Sequence, residues 1–167
     1  MDGNGRLGRL LIPLLLCEQK ILQEPLLYIS LYFKTYRKEY YRQLNDIHYT
    51  GDWEKWLDFF ADAVIVTANQ AVKTAKQLRD ISEADEEKIQ TAELPKPSLA
   101  VYREFVHHPI TTATFLSEGT HLSPEIVNKC LENIKNISII DEMTDKKINR
   151  IFVYTRYFDT LNHGLND

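Results

Sequence analysis

The chain has 167 residues, of which 44% are hydrophobic and 26% charged, and its formal net charge is −4. This composition is typical of an ordinary globular protein and excludes a disordered or collagen-like chain, while the slightly acidic balance excludes a general attraction to nucleic acid or anionic membrane. The two cysteines, Cys17 and Cys130, fit no metal-ligand or redox spacing. We therefore expect both to be small buried side chains in a protein of a reducing compartment.

The first residues of the chain form a turn that is suited to phosphate binding. Gly3 and Gly5 flank Asn4, and glycines permit a tight turn whose backbone N–H groups are not shielded by side chains. A helix that begins in this turn would direct its unpaired N–H groups and the positive end of its dipole toward the same space. The turn therefore predicts a site for an anion.

Charged residues on both sides of this turn strengthen the prediction. Arg6 and Arg9 are three residues apart, which places them on one side of a helix, and each guanidinium can bind phosphate oxygens bidentately. Asp2 precedes the turn and could hold a magnesium ion that bridges those phosphates. The three side chains together predict a cradle for the phosphates of a nucleotide.

Residues Asp2 to Arg9 resemble the second half of the signature of the Fic family (filamentation induced by cAMP), His-x-Phe-x-[Asp/Glu]-Gly-Asn-Gly-Arg-x-x-Arg. The resemblance implies transfer of AMP from ATP to a hydroxyl of a target protein, with Mg²⁺ held by Asp2. The signature histidine, which acts as general base, would precede Met1, so we expect no catalytic residue and no AMP transfer from this chain as given. The nucleotide-binding residues that the resemblance implies are Gly3, Asn4, Gly5, Arg6, Gly8 and Arg9.

The apolar run that follows predicts a helix from about Gly5 to Gln19, bent at Pro13 and buried centrally because it is apolar almost all round. The alternative is a secretory signal. We do not favour it, since the run is short and no small residue precedes Cys17. No run approaches the length of a membrane-spanning helix. We expect a cytoplasmic protein without a membrane partner.

Two further helices are predicted before the middle of the chain. The first, Ser30 to Asp46, carries tyrosines at four-residue spacing with cations between them. That pattern can indicate nucleic-acid binding, but more often it indicates a half-buried helix with outward lysines and arginines. A long helix then opens at Gly51-Asp52, with Asp52 as its N-cap. The tyrosine pair of the first helix and the Trp56 and Phe59-Phe60 region of the second also resemble Fic packing segments.

Leu94-Pro95-Lys96-Pro97 is the predicted domain boundary, preceded by an acidic solvated helix over Ser82 to Glu93. Beyond it, the pattern is helix, short helix, turn at Gly119, helix beginning at Ser123, and a β-hairpin with its turn at Thr144-Asp145-Lys146. This order resembles a winged helix-turn-helix module, which many Fic proteins carry at their C-terminus. A short last helix is predicted near residues 157–161.

The partner of this second module is open between DNA and protein. From Lys96 onward acidic residues slightly outnumber basic ones, and DNA binding depends largely on neutralising phosphates. DNA is therefore possible but not favoured, and a protein-interaction or dimerisation role is the preferred alternative. The missing family helices would leave apolar surface on the first helix, which predicts a homo-oligomer.

The sequence thus predicts a mainly α protein: a truncated Fic helical core over residues 1–94, followed by a winged helix-turn-helix with a small β-hairpin over residues 95–167. A regulator built on the second module is the alternative function.

Overall fold

The computed structural model describes residues 4–25, 27–144 and 150–162, and over these the chain is mainly α with one small antiparallel sheet. Residue contacts divide it into an N-terminal unit, Met1–Lys73, and a C-terminal unit, Thr74–Asp167. None of the described helices is long and apolar enough to cross a membrane. In chain order the elements are α1 (Asn4–Glu18), α2 (Ile29–Thr35), α3 (Arg37–Thr50), α4 (Glu54–Thr91), α5 (Lys96–His107), β1 (Ile110–Thr112), α6 (Ala113–Thr120), α7 (Pro124–Asn136), β2 (Asp141–Glu142), β3 (Ile151–Val153) and α8 (Thr155–Leu161).

The first helix forms where the sequence predicts it, within one residue at each end, and Pro13 lies inside it. The prediction that α1 is buried centrally is wrong. Pro13 is its only buried residue in the described chain, and five of its leucines remain 45–65% exposed, namely Leu7, Leu10, Leu11, Leu14 and Leu15. Only Ile12 and Leu16 of its large aliphatic side chains pack against a buried cluster. The physical reason is that no described helix covers its other side.

The core of the N-terminal unit is aromatic. Phe33 of α2 is 3% exposed, and its ring centroid lies 4.8 Å from that of Tyr40, 6.2 Å from that of Trp56 and 5.8 Å from that of Phe59. This confirms that the tyrosine-rich segment is half-buried. The single helix predicted over Ser30 to Asp46 is instead two helices, because the backbone leaves helical geometry at Tyr36, with φ −98° and ψ 38°.

Helices α3 and α4 are separated by a short turn whose chemistry follows from its residues. Gly51 ends α3 in the left-handed region, with φ 70°, a conformation that glycine adopts without steric cost. One carboxylate oxygen of Asp52 accepts the backbone N–H of Glu54 at 3.2 Å, which agrees with its predicted capping role. From Glu54, α4 runs unbroken for 38 residues, so the predicted acidic helix is its last part and not a separate element.

The C-terminal unit begins earlier than the predicted boundary at Leu94–Pro95. Ile89 of α4 is 2% exposed in a core that also contains Val101, Phe105 and Leu131. The end of α4 thus packs with the later helices, and contacts place the division between Lys73 and Thr74. The two prolines still end one helix and start another, since α5 begins at Lys96 with a proline in its first turn.

Three helices and a three-stranded sheet form the rest of this unit. Helices α5, α6 and α7 pack against one another, and β3 lies between β1 and β2, antiparallel to both. Ser123 caps α7, accepting the N–H of Ile126, as predicted. Gly119 lies inside α6, and the left-handed residue after that helix is His121, with φ 56°; the expectation for Gly119 is therefore wrong. Asp145 and Lys146 of the predicted hairpin turn lie outside the described residues, whereas the Thr144 hydroxyl accepts the N–H of Ile151.

A buried polar network ties α4 to this unit. The Tyr154 hydroxyl donates to Asp85 at 2.6 Å and lies 3.0 Å from the Tyr102 hydroxyl, which in turn donates to the carbonyl of Ser82 at 3.0 Å. Asp85 is 6% exposed. Burial raises the pKa of both tyrosines, that of Tyr102 to about 12. The buried carboxylate of α4 thus accepts its hydrogen bond from Tyr154, the residue before α8, and Tyr102 of α5 links Tyr154 to the backbone of α4.

Candidate anion-binding site

Two adjoining cavities in the N-terminal unit bring together the arginines that the sequence singles out. Arg6 and Arg9 both line a cavity of about 720 Å³ formed by α1, the segment after it and α2. The residues that share this cavity with them are Leu10, Pro13, Pro25, Leu27, Tyr28, Ser30 and Lys34. The two arginines, three residues apart on α1, thus line one cavity.

A second cavity of about 210 Å³ shares Arg9, Ser30 and Lys34 with the first and adds Arg37 from α3. Its remaining lining residues are aromatic: Phe33, Tyr40 and Tyr41. Four cationic side chains, from three helices, thus border the two cavities. Among the residues that the structure describes, neither cavity is lined by a carboxylate or a histidine, so the local field favours an anion.

Aromatic rings orient two of these cations. The guanidinium carbon of Arg9 lies 6.0 Å from the centroid of the Tyr40 ring, and that of Arg37 lies 5.7 Å from the Tyr41 ring. Contacts of this kind contribute about 0.5–1 kcal/mol at exposed sites. They place both guanidinium groups beside aromatic rings of α3. Arg9 is half-buried, whereas Arg6 is exposed.

The glycines of the predicted site have a smaller part in this geometry. Gly5 and Gly8 line neither cavity, and a Cβ at Gly5 would lie 3.7 Å from an Nη atom of Arg9, an ordinary contact. A Cβ at Gly8 would meet no atom within 4 Å. Asn4 is the first residue of α1. Gly3 lies outside the described residues, as does the predicted metal ligand Asp2.

Two of the four cations are absent from the sequence-based site. Lys34 lies on α2 and Arg37 on α3, in a segment whose sequence pattern predicts outward-facing cations. Their three-residue spacing gives no signal of the kind that Arg6 and Arg9 give, because the helix break at Tyr36 separates them. No pattern within the sequence shows that the two pairs meet, because this depends on the fold of the chain between Glu18 and Ile29.

The described residues contain no group of three or more histidine, cysteine or acidic side chains that could hold a metal ion. Cys17 is half-buried and Cys130 buried, and both are free thiols. The described histidines lie elsewhere: His48 is on α3 and outside both cavities, and His107, His108 and His121 belong to the C-terminal unit. Among the described residues, neither cavity is therefore lined by a histidine.

The basic residue just before β3 is already bound to acids within the C-terminal unit. Arg150 donates two hydrogen bonds to Glu142, each at 2.6 Å, and a third to Glu132 of α7. Lys135 also donates to Glu142, at 3.1 Å. These hydrogen bonds, that from Arg150 first, lower the pKa of Glu142 to about 2. Two of the cations that a DNA backbone would need are thus neutralised by neighbouring carboxylates.

No family model matches the chain. Among solved structures, the crystal structure of RV1404 from Mycobacterium tuberculosis is similar over 62% of this chain and 72% of that one, with 12% sequence identity and a TM-score of 0.36. A likeness at this score carries no argument about fold or function.

Proposed function

We propose that the N-terminal unit binds the phosphate chain of a nucleotide, with ATP as the ligand that the resemblance to Fic proteins indicates. The observation that carries this proposal is the shared cavity of Arg6 and Arg9. Two arginines chosen from a sequence motif lie at one cavity, and Lys34 and Arg37 border the same region. In this role Arg6 and Arg9 bind phosphate oxygens through charge-assisted hydrogen bonds.

The same proposal limits the chemistry of the site. Transfer of AMP to a hydroxyl requires a base that accepts the hydroxyl proton, and no histidine among the described residues lines either cavity. We therefore expect the chain as given to bind ATP without transferring AMP. The Fic-type role of Asp2 toward Mg²⁺ remains part of the proposal.

Calorimetric titration with ATP tests the proposal. Each arginine that donates to phosphate contributes about 1.4 kcal/mol, or tenfold in affinity, so the Arg6→Ala/Arg9→Ala variant should bind about 100-fold more weakly. Arg79→Ala is the matched control, because Arg79 is exposed on α4 and pairs with Asp80 and Glu83. Equal affinities of the double variant and the control would refute the site.

Mass spectrometry tests the expected absence of transfer. After incubation with ATP and Mg²⁺, neither the chain nor a mixture of candidate protein substrates should gain the mass of one AMP. A gain of that mass that requires Arg9 would show that the site is catalytic and would contradict the expectation.

A second candidate function concerns the C-terminal unit. The order α5, β1, α6, α7, β2, β3, with β3 between the other strands, is the topology expected of a winged helix-turn-helix. We propose that this unit binds a protein partner and not DNA, since Glu132 and Glu142 occupy Arg150. A DNA gel shift that persists at physiological salt would overturn this choice.

We also propose an oligomeric state and a cellular location for the protein. Exposed leucines on α1 support self-association into a homo-oligomer, because contiguous apolar surface of this kind is rare on monomers. The two free cysteines support a cytoplasmic location, where thiols stay reduced.

A further inference from the structure

One face of α4 in the N-terminal unit is apolar and has no described partner. Leu57, Ile65 and Val72 are 54–57% exposed, and the exposed alanines Ala61 and Ala68 alternate with them along the helix. We refer to these five residues as the α4 stripe. The opposite side of the same helix is buried in the aromatic core through Phe59 and Ala63, which are 8% and 0% exposed.

The α4 stripe has the spacing of a helix-pairing seam. Its residues follow one another at intervals of four, four, three and four, which keeps them on one side of a helix over about four turns. Branched side chains at positions 65 and 72 alternate with alanines at 61 and 68. Alternation of large and small side chains lets a second helix approach closely, because each large side chain finds space above an alanine of the other helix.

Two charged residues beside the α4 stripe could form ion pairs with a second copy of the helix that runs in the opposite direction. Asp62 and Lys73 are both exposed and lie on the same flank of the stripe. The midpoint between them is close to the midpoint between Ile65 and Ala68. If a second α4 packs antiparallel with Ile65 opposite the other copy's Ala68, each Asp62 lies within one turn of the other copy's Lys73. Parallel packing with two-fold symmetry would instead turn this flank toward the opposite flank of the other copy, so Asp62 and Lys73 would not meet.

We propose that the α4 stripe is the contact surface for a second copy of this chain, in an antiparallel helix pair with two-fold symmetry. An isologous contact of this kind is satisfied by one surface that pairs with itself, and the reversed order of Asp62 and Lys73 about the stripe centre provides that self-complementarity. The contact is independent of the anion site, so the Arg6→Ala/Arg9→Ala variant should associate as the parent chain does.

Charge exchange tests the orientation by sedimentation equilibrium. Asp62→Lys places two lysines opposite each other at both ends of the contact and should weaken the dimer about tenfold, because exposed pairs each contribute modestly. The double variant Asp62→Lys/Lys73→Asp should regain parental affinity, which a merely structural effect would not do. Glu87→Lys, an exposed charge reversal on the later part of α4 and away from both the stripe and α1, is the control. A parent chain that stays monomeric, or a double variant as weak as the single one, overturns the proposal.

Cysteine cross-linking tests the register independently. With a helical rise of 1.5 Å per residue, the proposed pairing places the two copies of residue 68 about 5 Å apart along the axis and the two copies of residue 57 about 28 Å apart. In a Cys17→Ser background, a short bismaleimide should therefore link Ala68→Cys chains and leave Leu57→Cys chains unlinked. Equal linking at both positions would indicate parallel pairing, and linking at neither would exclude this face.

Discussion

Removal of the Tyr154 hydroxyl tests whether contacts with the end of α4 stabilise the C-terminal unit. Tyr154→Phe keeps the ring, which stacks on Tyr157 with a centroid distance of 5.1 Å, and deletes the only hydroxyl within the described residues that donates to Asp85. The carboxylate of Asp85 would then be left with Arg156, whose nearer Nη atom is 3.8 Å from it. That arginine is largely exposed, so it compensates only in part.

The magnitude follows from the kind of hydrogen bond lost. Hydrogen bonds to charged groups contribute about 1.5–3 kcal/mol, and we take about 2 kcal/mol because Arg156 remains nearby. For a unit of about 90 residues this lowers the melting temperature by about 8–16 °C. The loss is larger than for a typical surface substitution, which changes stability by at most about 0.5 kcal/mol.

Urea denaturation followed by circular dichroism measures this loss. The midpoint should fall while the slope with denaturant stays constant, since the exposed surface on unfolding is unchanged. Tyr157→Phe is the control, because that hydroxyl makes no hydrogen bond within the described chain. Asp85→Asn in the Tyr154→Phe background should cost less than the two single losses added. Equal midpoints for Tyr154→Phe and Tyr157→Phe would refute the reasoning.

Three further predictions concern the ends of elements and the acid response. The pKa of Glu142 is lowered from its ordinary value near 4.5 to about 2, so its stabilising effect is fully present above pH 4.5 and is lost as the pH falls toward 2. Between pH 5 and pH 2.5 the melting temperature of Glu142→Gln should therefore fall less than that of the parent chain. Parallel curves of melting temperature against pH would contradict this. Gly51→Ala places a side chain at φ 70° and should cost about 1 kcal/mol in urea denaturation. Ser123→Ala removes the cap of α7 and should also cost about 1 kcal/mol, whereas Ser123→Gly should cost only a few tenths.

The sequence predicts helices well where local chemistry decides them. The limits of α1, the start of α7 at Ser123 and the short last helix follow from capping residues and apolar spacing, which act within one turn. The break at Tyr36 and the unbroken length of α4 are not visible in the same way. They depend on aromatic packing around Phe33 and on the burial of Ile89, which are contacts between segments distant in sequence.

The residues of the candidate site also differ in whether they could be predicted from local sequence. Arg6 and Arg9 are found from the sequence because their relation is that of neighbours on one helix. Lys34 and Arg37 are missed because the loop between α1 and α2 decides that they meet the first pair. The exposure of the α1 leucines is missed for a related reason: an apolar run indicates that a surface needs a partner but not that the described chain supplies one.

Competition between inorganic triphosphate and ATP tests the central claim most directly, since the claim is that cations bordering the cavities hold the phosphate chain. We predict that triphosphate displaces ATP from the parent chain at concentrations similar to those of ATP itself, that adenosine does not, and that both ATP and triphosphate binding weaken as salt rises. Displacement by adenosine without displacement by triphosphate would show that the chain recognises the base instead, and would contradict the account.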